Sequence, residues 1–435
     1  MVFNKERVNY GQVLIYVACS ILYLSCSNPN KSIVSLSNLA HLNRLYEEIT
    51  IDGHEIAIVH IYSEYPDYGW VDAGDEGIAC VDDAARAAVV YLRHFEFTGD
   101  TTSLQRGRKL IDFCRFMQDD DGQFYNFIYS DYSINQKGKT SFKSLGWWAG
   151  RAILAMGEGY RVFIQQEPEY ATLLGKHIQM TFSHIDTLLT NNANIDTVGG
   201  SLVPQWLLYN SASDATTELA LGLASYARAS NDERAIKYLE RFASGMIAMQ
   251  LSNPEEYLYG AFLSWKNIWH GWGNSQTQAL AEISRVIQNH DFLNAAELEA
   301  QYFYPYWISQ GWPREIELSR TDSLHAVRVD SFSQIAYALR PMIVGSLRLF
   351  EITGKEEYAE LAGELSTWFF GANPAQAEMY DPKTGRCFDG ILSSKEINRN
   401  AGAESTIEAL YSILEVENNP IAFKKLKGYL DLRDN

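Results

Sequence analysis

Five carboxylates crowd one short stretch of this chain, Trp70-Val-Asp-Ala-Gly-Asp-Glu-Gly-Ile-Ala-Cys-Val-Asp-Asp-Ala-Ala-Arg86: Asp72, Asp75, Glu76, Asp82 and Asp83. Another acid, Glu404, lies far along the chain in Asn398-Arg-Asn-Ala-Gly-Ala-Glu-Ser-Thr406. Two carboxyl groups facing one cavity can share acid and base work: one protonates a leaving oxygen, the other activates water or attacks carbon. Glycosidic bond cleavage needs such a pair, roughly 6.5–9.5 Å apart for inversion or about 5–5.5 Å for retention. The pairing these residues suggest is Glu404 with an acid of the first stretch. Asp82 reads as the N-cap of the helix that follows and Asp83 as a first-turn charge. Asp83, with Glu76 in the loop before it, is then the better placed to face a ligand. Asp82 stays in the candidate catalytic set through its position.

Sugar rings have apolar C–H faces that stack on aromatic rings and hydroxyls that bind carboxylates and amides. The candidate contacts of that kind are Trp70, Asp75, Trp147, Trp206, Glu218, Trp269, Trp272, Asp330 and Asn400. Trp265, Trp269 and Trp272 stand near Gly271 and Gly273, which mark a loop. Trp147 and Trp148 cannot face the same way on a helix, so one of them belongs to the core.

These residues need elements to position them. From Asp82 onward the chain reads as helix after helix. Leu92-Arg-His-Phe-Glu-Phe-Thr-Gly99 reappears as Leu347-Arg-Leu-Phe-Glu-Ile-Thr-Gly354, 255 positions later. A quarter of that offset is a unit of about 64 residues, and six helical pairs follow on that rhythm. They are Asp82–Phe97 with Ser103–Gln118, Phe142–Phe163 with Pro168–Leu189, and Ala212–Ala229 with Asp232–Gln250. Then come Ser275–Gln288 with Phe292–Ser309, Asp330–Ile352 with Glu356–Phe370, and Ala401–Val416 with Ile421–Leu430. The first helix of each pair is apolar and rich in small residues, as an inner helix must be, and the second is amphipathic. The fold class expected is all-α, an (α/α)6 toroid of six helical hairpins with a short N-terminal extension. Its long connections would line one mouth, at the N-terminal ends of the inner helices.

Residues 70–435 make the toroid and 27–69 a tether and extension containing a short helix (39–49) and a strand-like run (55–61). Residues 1–26 read as an export signal. Lys5 and Arg7 precede an apolar run, Val13 to Leu24, too short for a membrane span, which needs about twenty residues. Ser25-Cys26 then resembles a lipoprotein cleavage site, with Cys26 carrying the lipid. The expected location is therefore the bacterial cell envelope, with the membrane touched only through that anchor; the alternative is a plain secretory signal cut near Ser25 or later and a secreted or periplasmic protein. Three further cysteines, Cys80, Cys114 and Cys387, have no disulfide-framework or zinc spacing and read as buried thiols, with a Cys80–Cys114 bridge as the alternative.

A net charge of −18 excludes nucleic acid as a partner. There is no His-Glu-x-x-His, no phosphate loop and no Gly-x-Ser-x-Gly elbow, so neither metal nor cofactor is expected.

Val81-Asp-Asp-Ala-Ala-Arg-Ala87, Trp368-Phe-Phe-Gly-Ala-Asn-Pro374, Cys387-Phe-Asp-Gly390 and Asn398 to Thr406 resemble the toroid domains of bacterial carbohydrate-processing proteins. The chain as a whole, over roughly residues 60–430, resembles the six-hairpin glycosidase superfamily. That resemblance implies an α/α toroid and, for most members, glycoside hydrolysis. In those relatives the first motif reads Asp-Asp-Asn-Ala-Arg and the last Asn-x-Asn-Gln-Gly-Ala-Glu-Ser-Thr. Here Ala84 replaces the Asn and Ala401 the Gln, which implies two polar groups fewer in the site. The function expected is an exported glycoside hydrolase acting on an oligosaccharide or polysaccharide. The alternatives are a sugar epimerase, which would want a histidine pair at the mouth; a lyase, which would want a Tyr or His base beside Arg and Lys; and a glycan-binding lipoprotein without catalysis.

Overall fold

The computed structural model describes residues 35–433. The export signal, its Cys26 anchor and most of the tether lie outside the described residues. Among the described residues no helix is long and apolar enough to cross a membrane.

A short helix, α1 (Ala40–Leu45), leads into an antiparallel hairpin, β1 (Tyr46–Ile51) and β2 (His54–Val59). The first helical pair is α2 (Val81–Thr98) with α3 (Thr101–Phe116), and the second is α4 (Trp147–Phe163) with α5 (Pro168–Met180), extended by α6 (Phe182–Asn191). The third is α7 (Ser213–Ser230) with α8 (Glu233–Ala248). The fourth is α9 (Gln276–Ile287) with α10 (His290–Leu298), which continues through a π-turn at Glu299–Phe303 into α11 (Tyr304–Ser309). The fifth is α12 (Ala336–Thr353) with α13 (Glu356–Ser366), and the sixth α14 (Ala403–Glu417) with α15 (Pro420–Arg433). Packing runs α2 to α4 to α7 to α9 to α12 to α14 and back to α2, so the inner ring closes, and each inner helix also packs on its outer partner.

The sequence explains both the layers and the turns. In α7 every residue from Ser213 to Ala227 is buried, as an element surrounded by helices requires. α4 and α7 cross at Gly157 and Gly222: a Cβ on Gly222 would lie 2.4 Å from the Ile153 carbonyl carbon, and one on Gly157 would lie 2.2 Å from the Gly222 oxygen. The two Thr-Gly repeats stop α2 and α12 at Gly99 (φ 73°) and Gly354 (φ 70°), left-handed caps that glycine adopts without strain. Asp100 then opens α3 by accepting from the Thr102 and Ser103 amides.

Between the pairs the chain forms two- and three-stranded ribbons: β3 (Tyr62–Glu64) with β4 (Gly69–Val71), β5 (Ala79–Cys80) with β6 (Phe127–Ile128), and β7 (Ile195–Val198) with β8 (Ser201–Pro204). β9 (Ile268–His270), β10 (Glu315–Arg320) and β11 (Leu324–Asp330) form a sheet of three. β12 (Tyr380–Asp381) pairs β13 (Arg386–Cys387), and β14 (Gly390–Ser393) pairs β15 (Glu396–Asn398).

Four expectations change, the first being that the helix expected over 39–49 stops at Leu45, where Tyr46–Ile51 pairs with β2 as a strand. The fifth inner helix begins at Ala336, not Asp330, because Glu315-Ile-Glu-Leu-Ser-Arg320 and Leu324 to Asp330 alternate with period two and pair as strands. The second begins at Trp147 rather than Phe142. The N-terminal extension is not a tether from Leu36 onward: the Leu36 and Ser37 amides donate to the Glu417 carboxylate, and β2 packs against α3. Cys80, Cys114 and Cys387 are free, buried thiols.

Candidate active site

The inner helices run in parallel, so their N-terminal ends meet at one mouth. A cavity of about 840 Å³ opens there. The first turns of the inner helices build it in two tiers, because residues four apart on a helix share a face. Asp82, Trp147, Asp214 and Glu404 stand at its wall. One turn deeper on the same helices come Arg86, Arg151, Glu218 and Glu408, and α12 adds Tyr337 and Arg340.

The lower tier is a continuous polar network. Arg86 donates to Asp83 Oδ1 (2.6 Å), Glu404 Oε2 (2.9 Å) and Glu408 Oε1 (3.3 Å). Arg340 reaches Glu408 (2.6 Å) and Gln278 (3.1 Å). Arg151 donates to the Tyr337 hydroxyl (2.9 Å), which donates to Glu218 (3.0 Å), and its other terminal nitrogen binds Asp82 Oδ1. Burial pushes the Tyr337 phenol far above its ordinary range, so it stays a hydrogen-bond donor.

Four carboxylates of the candidate catalytic set touch this cavity, and they differ. Glu404 is the most open, its side chain 44% exposed. Oε2 accepts from Arg86, and among the described residues no donor is bonded to Oε1. Asp82 is 19% exposed, with Oδ1 on Arg151 and Oδ2 accepting from Asn126 (3.0 Å). Glu76 is occupied by two hydroxyls, Tyr62 and Thr140, each at 3.0 Å. Asp83 is only 4% exposed and is held by Arg86 and the Cys80 thiol. Burial raises its carboxyl above the ordinary value, while the Arg86 charge opposes that rise.

Asp82 does not take the capping role expected of it, and it is the more open of the two adjacent aspartates. The helix cap is Cys80, whose sulfur accepts from the Asp83 amide. Asp82 sits inside the first turn and presents its carboxylate to the cavity. Asp83 turns along the helix toward Arg86, about 100° around from its neighbour at 3.6 residues per turn.

Of the expected sugar contacts, Trp147 and Trp272 line the cavity. The others do not. Trp269 is fully buried, edge-on against Phe303 and Trp307. Trp206 is buried, with Nε1 donating to the Arg241 carbonyl. Glu218 lies beneath the cavity in the lower tier. Trp70 pairs with Ser63 across β3–β4, so strand alternation puts it on the face opposite Tyr62, stacked on His60 (3.8 Å). Asp75 is exposed beside the mouth, Asn400 accepts from the Tyr65 amide, and Asp330 ends β11 bonded to Arg328. Ala84 and Ala401, at the two departures from the related motifs, are buried and do not line the cavity.

Some residues of the site were not anticipated. Arg86 and Arg151 carried a signal: Asp82-Asp-Ala-Ala-Arg86, Trp147-Trp-Ala-Gly-Arg151 and Ala336-Tyr-Ala-Leu-Arg340 place an arginine at the fifth or sixth position of three inner helices. His270 also lines the cavity with Asp214. Its Nε2 lies 2.9 Å from Asp214 Oδ2, its Nδ1 lies 2.8 Å from the Trp272 carbonyl oxygen, and its ring stacks on Trp272 at 3.7 Å. Both nitrogens face acceptor oxygens.

An α/α toroid with aromatic walls and carboxylates at the helix N-termini is the architecture of the six-hairpin glycosidases. The sequence profile of glycosyl hydrolase family 9 matches residues 56–380, and the chain belongs to that family. No curated protein matches the chain in sequence. Solved structures share its fold at low identity. A cellobiose 2-epimerase from Bacillus thermoamylovorans is 13% identical with a TM-score of 0.57, over 88% of this chain and 96% of that one. A family 9 endoglucanase is 12% identical with a TM-score of 0.51, over 87% and 83%. An alpha-1,6-mannanase from a Salegentibacter species, in an inactive double Asp-to-Asn variant bound to alpha-1,6-mannotriose, is 11% identical with a TM-score of 0.51, over 86% and 95%.

Proposed function

We propose that the protein hydrolyses glycosidic bonds of an oligosaccharide or polysaccharide, with Asp82 and Glu404 as the reacting carboxyl pair. The observation that carries this reading is that the two most open catalytic-set carboxylates on the α2 and α14 helix ends share one aromatic-walled cavity, each braced by its own arginine. Asp82 has both oxygens accepting hydrogen bonds and takes the carboxylate role, activating water or attacking the anomeric carbon. Glu404 has Oε1 open to carry a proton and deliver it to the departing oxygen. Trp147 and Trp272 present ring edges or faces to the sugar, and the lower tier fixes both acids in place.

A second reading, sugar epimerisation, finds its support in His270 at the cavity wall. Among the described residues it is the one histidine there, and both of its nitrogens are already engaged, by Asp214 and by the Trp272 carbonyl. The hydrolase reading accounts for more of the site. Export with a lipid anchor at Cys26 belongs to the same proposal, supported by the sequence pattern of residues 1–26. A Cys26→Ser chain released from the membrane fraction would bear that out, and one that remains there would count against it.

The test is to incubate the protein with a broad oligosaccharide panel and weigh the products. Hydrolysis yields fragments whose masses include one water. An isomer of unchanged mass would point to epimerisation, and an ultraviolet-absorbing unsaturated end would point to a lyase. Retention of a glycan with no product would leave a binding protein.

A further inference from the structure

The geometry points to Tyr209 as the aromatic platform that sets which sugar ring the cavity accepts, and to Gly146 as the positioning residue that lets it stand there. This rests on the glycoside-binding reading of the cavity but goes beyond the acid pair.

Tyr209 lies in the loop before α7, lines the cavity and leaves its side chain half open to it, with the residue 45% exposed. The loop is held in a conformation that its residues disfavour. Tyr209, Asn210 and Ser211 have consecutive positive φ values of 51°, 58° and 137°, and none of them is glycine. Such a run persists only where the surroundings over-determine it, and such strain gathers at ligand sites. The surroundings do so here. The Leu208 amide donates to Thr216 Oγ1 (3.0 Å) and the Ala212 amide to the Leu208 carbonyl (2.8 Å), pinning both ends of the loop. The Tyr209 hydroxyl accepts from the Trp147 amide (3.2 Å) at the start of α4, a helix whose N-cap, Gly146, has no side chain to do so.

Gly146 is required by this contact. A Cβ there would lie 1.9 Å from the Tyr209 hydroxyl oxygen and 2.9 Å from Cζ. The obstructed atom is the far end of a side chain, so an alanine would displace the ring rather than unfold the helix. Tyr209 lines the same cavity as Asp82, Arg151, Asp214 and His270. An aromatic face fixed at that place selects for a ring that offers it an apolar face.

The experiment measures glycan binding by calorimetry in the Glu404→Gln background, so that binding is read without turnover, and KM and kcat in the otherwise unaltered chain. The probe is the panel oligosaccharide that the protein retains most tightly. Tyr209→Ala and Gly146→Ala are each expected to weaken binding and raise KM about tenfold, which is 1.4 kcal/mol, with kcat changed much less. Because the obstruction is the hydroxyl, Gly146→Ala combined with Tyr209→Phe is expected to bind better than Gly146→Ala alone, a non-additivity that general destabilisation would not produce. Unchanged binding in Tyr209→Ala, or strictly additive effects, would overturn the inference. Wild type that binds a glycan without turning it over would sink the hydrolase reading and leave this one standing. Wild type that binds no glycan would overturn both.

Discussion

The two ends of the toroid use the same residue types to opposite effect. At the mouth the inner helices begin, and their N-terminal dipole ends favour anions: Asp82, Asp83, Asp214 and Glu404 all sit in first turns. At the far end the inner helices finish and cations are favoured, and there Arg93, Arg161, Arg228, Arg285 and Arg348 come from five successive inner helices. Each guanidinium at that end has a glutamate. Arg93 and Arg348 meet Glu415 (2.6 Å each), Arg161 meets Glu158 (2.7 Å), Arg228 meets Glu282 (3.0 Å), and Arg285 meets Glu351 (2.6 Å). The charges close on one another around a void of only about 180 Å³. At the mouth the arginines lie one tier down, and Glu404 above them keeps Oε1 open over a cavity of about 840 Å³. Charge saturated by neighbours closes the ring. Charge left part-satisfied above a cavity is available for chemistry.

Substitutions can break this contrast. The largest effect is expected at Arg86, which serves Asp83, Glu404 and Glu408 together. Arg86→Met should cost about 3–5 kcal/mol, as removing one partner of a buried ion pair does, and should also abolish hydrolysis. Urea unfolding and a product assay on the same preparation read both losses. Next comes Arg348→Met at the closed end, expected to cost about 3 kcal/mol in the urea midpoint while the folded protein keeps its KM and kcat. Loss of activity in proportion to that of Arg86→Met would erase the distinction between the ends.

A smaller effect sharpens the comparison with a carboxyl belonging to neither end. Glu299 is buried in the π-turn and accepts from the Phe262 amide (3.0 Å), Thr277 (2.8 Å) and Tyr304 (3.1 Å), and among the described residues it makes no ion pair. Burial raises its carboxyl from 4.5 to about 7. The folded chain therefore keeps a proton that the unfolded chain releases across that window. The stability this group contributes is complete below pH 4.5 and is lost as the pH climbs through 7. Glu299→Gln should be near neutral at pH 5 and should stabilise by roughly 2 kcal/mol at pH 8, measured as urea midpoints at the two pH values. Equal midpoint shifts at both would show that the carboxyl is ionised throughout.

The architecture was legible because its signals are local and repeated. The Thr-Gly stops, the small-residue inner helices and the spacing of pairs each follow from one helix at a time. The mouth was legible for the same reason, since parallel inner helices put their first turns together. What escaped was which way a side chain turns. Asp82 and Asp83 differ by one position and hence by a third of a turn, and only the strand pairing that places Cys80 at the cap decides which one faces the cavity. Trp269 and Trp206 look like Trp272 in sequence, but their partners Phe303, Trp307 and Arg241 come from other elements. Asp330 was assigned to a helix because its strand partner lies 15 residues earlier, at Glu315. The arginine at the fifth or sixth position of three inner helices was visible but gained meaning only once the helices formed a ring.

The most direct measurement is the rate of hydrolysis of the best panel substrate by Asp82→Asn and Glu404→Gln, taken beside their melting temperatures. The account predicts rates reduced by about 10²-fold or more in both, with melting temperatures close to that of the unaltered chain. Rates within a few-fold of the unaltered chain in either variant would contradict it.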